Sequence, residues 1–217
     1  MIKRMTLLAK KDGSSISDFR AYWAGSHAEL ALCMDGITSY TQNRVEKRLW
    51  QSPDTSGQFS VDGVVELCFE NNEVMSRAQQ SHVGSEYIPE DEPNFLHGWT
   101  LCVVTHEDEP GERPGVKVLV LATMKDAVSR ADFKEAVVKA NSSSASPVEL
   151  SFNWTEKSAK RERLWAEPVA PNVLLAMWFG NTAQAHDAFR ADSELVTQVS
   201  RLSSHASAYL INALIKR

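Results

Sequence analysis

Cysteine is scarce in this chain. Its 217 residues include three, Cys33, Cys68 and Cys102, far apart and each in an apolar segment. That excludes a disulfide framework and a Cys-x-x-Cys zinc site, and it fits reduced, buried thiols in a cytoplasmic protein. Clustered positive charge is also missing. Lys and Arg total 23 against 28 Asp and Glu, giving a net charge of −5, so no nucleic-acid partner is expected. The one basic stretch, Lys157–Arg163, is interrupted by Ser158, Ala159 and Glu162 and reads as a solvated strand end or loop. No apolar run reaches the roughly 18 residues of a membrane span, and Met1-Ile2-Lys3-Arg4 lacks the apolar stretch of a signal peptide. Gly-x-Gly-x-x-Gly, P-loop and Gly-x-Ser-x-Gly motifs are absent, so neither a nucleotide cofactor nor a serine-hydrolase elbow has any signal. His-x-His and His-Glu-x-x-His spacings are absent too, and no metal is expected.

What the chain does have is likeness to itself. Lys11-Asp12 and Ser17-Asp18-Phe19-Arg20 are answered 114 residues later by Lys125-Asp126 and Ala131-Asp132-Phe133-Lys134. Glu46-Lys47-Arg48-Leu49-Trp50 is answered by Arg161-Glu162-Arg163-Leu164-Trp165, and Cys68-Phe69-Glu70-Asn71 by Trp178-Phe179-Gly180-Asn181. The shared order suggests a duplication: residues 1–107, a Pro/Gly/charge-rich linker at 108–115, and a diverged copy at 116–217.

Each copy reads as strand, helix, strand, strand, helix, strand. In the first, Met5–Ala9 is an apolar strand, and a helix capped by Ser17 carries Phe19, Tyr22, Trp23, Leu30 and Cys33 at helical spacing. Gly36 ends it. Ile37–Val45 and Val61–Phe69 are the next strands, Asn72–Ser81 begins a second helix, and Trp99–Thr105 closes the unit. The second copy runs Val116–Thr123, Arg130–Lys139, Val148–Thr155, Val173–Phe179, a broken or bent helical region Thr182–Leu202, and Ala208–Ile215. Helices cover one face of each sheet, yet the strands are apolar on both. The fold class expected is therefore α+β, two ferredoxin-like βαββαβ repeats whose sheets meet face to face in a barrel. Such a barrel closes within one chain or between two copies, so a homodimer stays open.

The polar candidates sit in the first copy. His27 follows Phe19 by eight residues and Trp23 by four, on the flank of the buried helix face, where an imidazole can move a proton. A helix-end histidine bonded to a carbonyl is the plainer alternative. Period-two alternation puts Val64, Glu66 and Cys68 on one strand face and Val65, Leu67 and Phe69 on the other, with Glu66 aimed into the barrel. There it is a candidate to orient His27, or else pairs with Arg44 or solvent. Tyr40 is a candidate to hydrogen-bond substrate. Trp23, Asn43, Arg44, Cys68, Tyr87 and Trp99 complete the candidate substrate contacts. In the second copy His27 becomes Asn141, Trp23 becomes Val137, Glu66 becomes Ala176 and Cys68 becomes Trp178, while Phe69 stays aromatic as Phe179. Packing persists and polarity vanishes, pointing to one site in the first half.

The run Ile16-Ser17-Asp18-Phe19-Arg20-Ala21-Tyr22-Trp23, then His27-Ala28, Gly36-Ile37 and Tyr40-Thr41-Gln42-Asn43, resembles the EthD family, as does Asp91-Glu92-x-x-Phe95-Leu96. The resemblance covers most of residues 1–107, and only the skeleton beyond. It implies the dimeric α/β-barrel superfamily, with small catabolic enzymes, muconolactone-type isomerases and cofactor-free monooxygenases as relatives, and it matches His27 to the family histidine. Some isomerase relatives carry a Cys directly after a strand Glu. Here Glu66-Leu67-Cys68 moves the thiol one place and so to the other face. The expectation is a cofactor-free enzyme (isomerase, dehydratase or oxygenase) on a small aromatic or ether-like compound, with His27 moving a proton. The alternative is a non-catalytic binding or accessory protein on the same fold. Haem, which some barrel relatives hold, has no specific support among these residues.

Overall fold

In the computed structural model, residues 1–53, 59–106, 113–144 and 148–217 are described; residues 108–112 of the linker expected at 108–115 lie outside them. The first half forms β1 (Ile2–Lys10), α1 (Ile16–Ala24), α2 (Ser26–Leu32), β2 (Ile37–Gln51), β3 (Gly63–Phe69), α3 (Asn72–Gln80), a π-helical turn (Val83–Tyr87), α4 (Ile88–Phe95) and β4 (Leu96–His106). The second forms β5 (Val116–Met124), α5 (Arg130–Ser142), β6 (Glu149–Lys160), β7 (Val173–Phe179), α6 (Thr182–Ala188), α7 (Glu194–Leu202) and β8 (Ser203–Ile215).

The strands close into one antiparallel barrel in the order β1-β3-β2-β8-β5-β7-β6-β4. Within it the halves share a single plan, β4-β1-β3-β2 and β8-β5-β7-β6, joined by β2 to β8 and β4 to β6. This is the dimeric α/β-barrel arrangement of two ferredoxin-like units, closed within one chain.

Closure explains strands that are apolar on both faces. One face fills the barrel, where Met5, Leu7 and Val64 from the first half meet Leu119, Leu121, Leu174 and Tyr209 from the second. The other face lies under helices. In the second half that layer is one continuous cluster around Val118, Val120, Phe133, Val137 and Trp154. In the first it is split, with Phe19, Trp23, Phe95 and Trp99 in one cluster and Ala28, Ala31, Tyr40, Leu67 and Phe69 in another.

Several boundaries differ from the sequence reading. The N-cap of α1 is Ser15, not Ser17; its side chain accepts from the Asp18 amide at 3.0 Å. Gly25 interrupts the helix, so His27 lies in the first turn of a new one, α2. Gly36, at φ 87°, then turns the chain into β2, which runs on to Gln51 because it pairs along β8 as well as β3. For the same reason β6 continues to Lys160 against β4, and β4 and β8 begin earlier, at Leu96 and Ser203. Among the described residues, no helix is long and apolar enough to cross a membrane.

Candidate active site

Alternation along β1 and β3 divides the polar residues between two places. Lys3 is opposite Cys68, and Arg4 opposite Leu67. Lys3, Glu66 and Cys68 therefore face the barrel interior, and Arg4, Val65 and Leu67 face the helices.

On the helix side, between the two first-half clusters, lies a cavity of about 380 Å³ walled by Arg4, Thr6, His27, Tyr40, Leu67, Glu92, Trp99 and Arg161, among others. That is an ordinary size for a small-molecule site. His27 is buried, its ring tilted against Phe95 at 4.7 Å between centroids. Its Nδ1 is 2.8 Å from Oδ2 of Asp91, on α4. The Tyr22 hydroxyl donates to the other Asp91 oxygen at 2.6 Å. The hydrogen bond from His27, reinforced by Tyr22 against the opposing effect of burial, holds the Asp91 carboxyl below its ordinary range. An ionised Asp91 accepts from Nδ1–H, which leaves the lone pair of the neutral ring on Nε2. Nε2 makes no hydrogen bond to the described residues. An oriented histidine on a cavity wall with one open nitrogen can act as a base.

The remaining walls carry charge. Arg4 is buried, and its Nε has no hydrogen-bond partner; neither has Oγ1 of Thr6, two residues along the same strand face. Burial, and then the charge of Arg161, bring the Arg4 guanidinium down to about 10. Glu92 is 3 % exposed; burial pushes its carboxyl up, opposed by Arg161, whose Nε donates to it at 2.8 Å. The Arg161 guanidinium also lies 4.7 Å from the Trp99 ring centroid. Arg161 follows β6, in the second half, so the reading of 157–163 as merely solvated fails at this residue. Its acceptor, Glu92, is built by the other half of the chain.

Of the expected site residues, His27, Tyr40 and Trp99 line this cavity. The Tyr40 hydroxyl accepts from Gln42 Nε2 at 2.8 Å, and burial pushes the phenol up to about 12, so it keeps its proton as a donor. Trp23 is buried nearby but its ring packs over Gly63, and it does not line the cavity. Arg44 lies by Arg20 and Glu46, and Tyr87 is 52 % exposed in the π-helical turn; neither reaches the cavity.

Glu66, Cys68 and Asn43 are elsewhere, and the expected Glu66–His27 and Glu66–Arg44 pairs do not form. Glu66 and Cys68 line a larger cavity of about 660 Å³ at the barrel mouth. There Glu66 binds Lys3 at 2.9 Å and Lys117 at 2.7 Å, and accepts from Asn43 Nδ2 at 2.8 Å; Asn43 Oδ1 accepts from Lys117 at 2.8 Å. Burial alone would raise the Glu66 carboxyl, but Lys117 and Lys3 outweigh it and hold the group well below the carboxylate range. One residue of strand alternation separates Glu66 from Leu67 and hence from His27. Asp91 occupies the orienting position instead. Its Asp91-Glu92 pair was visible as a family feature, but its contact with a residue 64 positions away depends on how α2 and α4 pack. Among the described residues no group of three His, Cys, Asp or Glu side chains converges as metal ligands would.

Residues 11–98 match the family model of the EthD domain. Over that span the chain is similar to an EthD domain. The matched span includes His27, Tyr40, Asp91 and Glu92, whereas Arg4, Trp99 and Arg161 lie outside it. A comparison with curated protein sequences finds no match. Among solved structures the chain is similar to an anthrone oxidase-like protein (TM-score 0.59, 9 % identity, 99 % of this chain and 92 % of that one). It is also similar to candidate monooxygenases from Fusobacterium nucleatum (0.56, 10 %, 99 % and 93 %) and from Lactobacillus acidophilus (0.53, 12 %, 99 % and 94 %). At such identities the likeness is one of fold.

Proposed function

We propose that the EthD-domain cavity is the active site of a cofactor-free catabolic enzyme of the oxygenase type, acting on a small aromatic or ether-like compound that bears oxygen. The observation that carries this reading is the His27–Asp91 pair, 2.8 Å apart, at the wall of a pocket of about 380 Å³. Nε2 of His27 takes a proton from an acidic C–H or O–H of the substrate. The imidazolium so formed is stabilised by ionised Asp91, and Tyr40 donates to a substrate oxygen. The names of the similar structures, anthrone oxidase-like and monooxygenase, favour oxygenation over isomerisation or dehydration. In that case the deprotonated, electron-rich carbon reacts with O2 itself: one CH2 and one O2 give one C=O and one water.

The test is oxygen uptake and product mass with anthrones, hydroxylated naphthalenes and alkyl aryl ethers as probes, comparing the wild-type chain with His27→Ala. Uptake that falls at least 100-fold in the variant is the expected result. Unchanged uptake in His27→Ala refutes the base. Binding of a probe without turnover by the wild-type chain gives the cavity to a binding protein instead.

A further inference from the structure

We infer that the cavity beside His27 selects substrates carrying an anionic oxygen, a carboxylate or phenolate on an apolar ring, and that Arg4 is its receptor. This rests on the cavity being the substrate site.

The first argument is an imbalance. A guanidinium has five N–H donors, and burying one without partners is costly. Arg4 is only 9 % exposed, yet no hydrogen bond or ion pair engages its side chain among the described residues, and its Nε is fully enclosed without an acceptor. The carboxylate whose charge acts on Arg4, Glu92, is bonded to Arg161. Asp91 is bonded to His27 and Tyr22. The cavity wall thus holds Arg4, Arg161 and the exposed Lys160 against one carboxylate, Glu92, so positive charge is in excess and Arg4 is its buried, unpaired part. Thr6 Oγ1, also without a partner, adds a second donor on the same strand face. A planar, two-oxygen anion is the ligand a guanidinium binds best.

The second argument is that the fold does not need an arginine there. Arg4 is opposite Leu67 in the β1–β3 ladder, and Val118 is opposite Met177 in the corresponding β5–β7 ladder. Thr6, opposite Val65, corresponds in the same way to Val120, opposite Leu175. In the second half the equivalent places are therefore both valine, buried in a continuous apolar core. The corresponding strand, under the second half's own helices, packs without charge. Apolar neighbours complete the ligand's shape: Leu8, Leu101 and Trp99 line the cavity beside Arg4.

Calorimetric titration of 1-naphthoate and its neutral isostere 1-naphthamide into the full chain tests the inference. Naphthoate should bind wild type at least about tenfold more tightly than the amide, and Arg4→Met should bring the ratio to within about twofold. Lys117→Met, at the barrel mouth, should leave the ratio unchanged. A ratio that survives Arg4→Met, one that collapses in Lys117→Met, equal affinities in wild type, or no binding of either probe would each overturn it. A second readout is independent of any ligand. If Arg4 is kept for an anion, ligand-free Arg4→Met should melt higher than wild type, since a cost is removed; a lower melting temperature would make Arg4 structural. His27→Ala should retain the preference for naphthoate, so that loss of the base and loss of anion selectivity are read separately.

Discussion

Glu66→Gln is the most informative stability perturbation. Glu66 lies at the barrel mouth between Lys3 at 2.9 Å and Lys117 at 2.7 Å, with 9 %, 13 % and 11 % side-chain exposure for Lys3, Glu66 and Lys117. The two lysines come from opposite halves and occupy corresponding places, Lys3 before Arg4 in β1 and Lys117 before Val118 in β5. Glutamine keeps the shape and can still accept from Asn43, but it leaves two nearly buried ammonium groups facing each other without a counter-charge. Removing one partner of a buried ion pair costs about 3–5 kcal/mol. The opening of the mouth to solvent places this case near 3. Lys117→Met, which leaves a balanced Lys3–Glu66 pair, should cost only about 1 kcal/mol. The triple change Lys3→Met, Glu66→Leu, Lys117→Met should be close to neutral because it replaces the whole group by apolar side chains. Urea unfolding at neutral pH measures all three. The pH dependence has a definite sign. The folded-state carboxyl is held below its unfolded value of about 4.3, so the contribution is complete above that value and is lost as pH falls below it. The wild-type advantage over Glu66→Gln should shrink in acid. A cost for Glu66→Gln under 1 kcal/mol, or no larger than that for Lys117→Met, would refute the reasoning.

Other outcomes follow from single contacts. Asp91→Asn should lower kcat by about 10²–10⁴ with KM changed little, because His27 loses the charge that fixes its tautomer; steady-state kinetics on any probe that is turned over decides this. Gly63→Ala would put a Cβ 2.4 Å from the Trp23 ring, and overpacking of that kind should cost about 1–3 kcal/mol in urea unfolding. Burial brings the Glu167 carboxyl up to about 7 while it accepts from the Ser60 amide. In the folded state it binds its proton at higher pH than when unfolded, so its effect on stability falls as pH rises from about 4.3 to 7. Glu167→Gln should therefore gain roughly 1–2 kcal/mol over wild type at pH 8 compared with pH 5, measured by thermal or urea unfolding.

The order of strands and helices was legible because period-two and period-3.6 patterns report local geometry, and the repeat reported that the geometry occurs twice. Alternation even placed Glu66 in the barrel. The same alternation implied that His27, on a helix over the outer face, lies across the sheet from Glu66, so the expected pairing of the two went against it. Asp91 was out of reach. Its role depends on how α4, which follows the π-helical turn at Val83–Tyr87, packs against α2. Arg4 read as one of the charges at an unremarkable N-terminus, and only the β1–β3 register shows it facing the helices while Lys3 faces in. Arg161 was hidden by composition. A basic run looks solvated until the carboxylate it serves is found 69 residues away.

Those hidden residues share a physical origin in closure of the barrel within one chain. In a barrel of two identical units every inward residue appears twice, so a glutamate between the sheets brings a second glutamate and two lysines are balanced. Here Lys3 and Lys117 persist as a corresponding pair, while Glu66 has Ala176 as its counterpart, each opposite the residue two places beyond the lysine, Met5 or Leu119. A single carboxylate then serves both cations and bridges the halves. The helix-side layers have diverged in the same manner. Arg4 and Thr6 face a cavity where Val118 and Val120 face packed side chains, and pairing of Thr100 with Lys160 brings Arg161 from one half to Glu92 of the other. Two identical chains cannot make one layer polar and leave the other apolar, because each substitution would alter both. Joining the units removes that constraint, so one half can hold unpartnered charge around His27 while the other supplies a continuous core that offsets its cost.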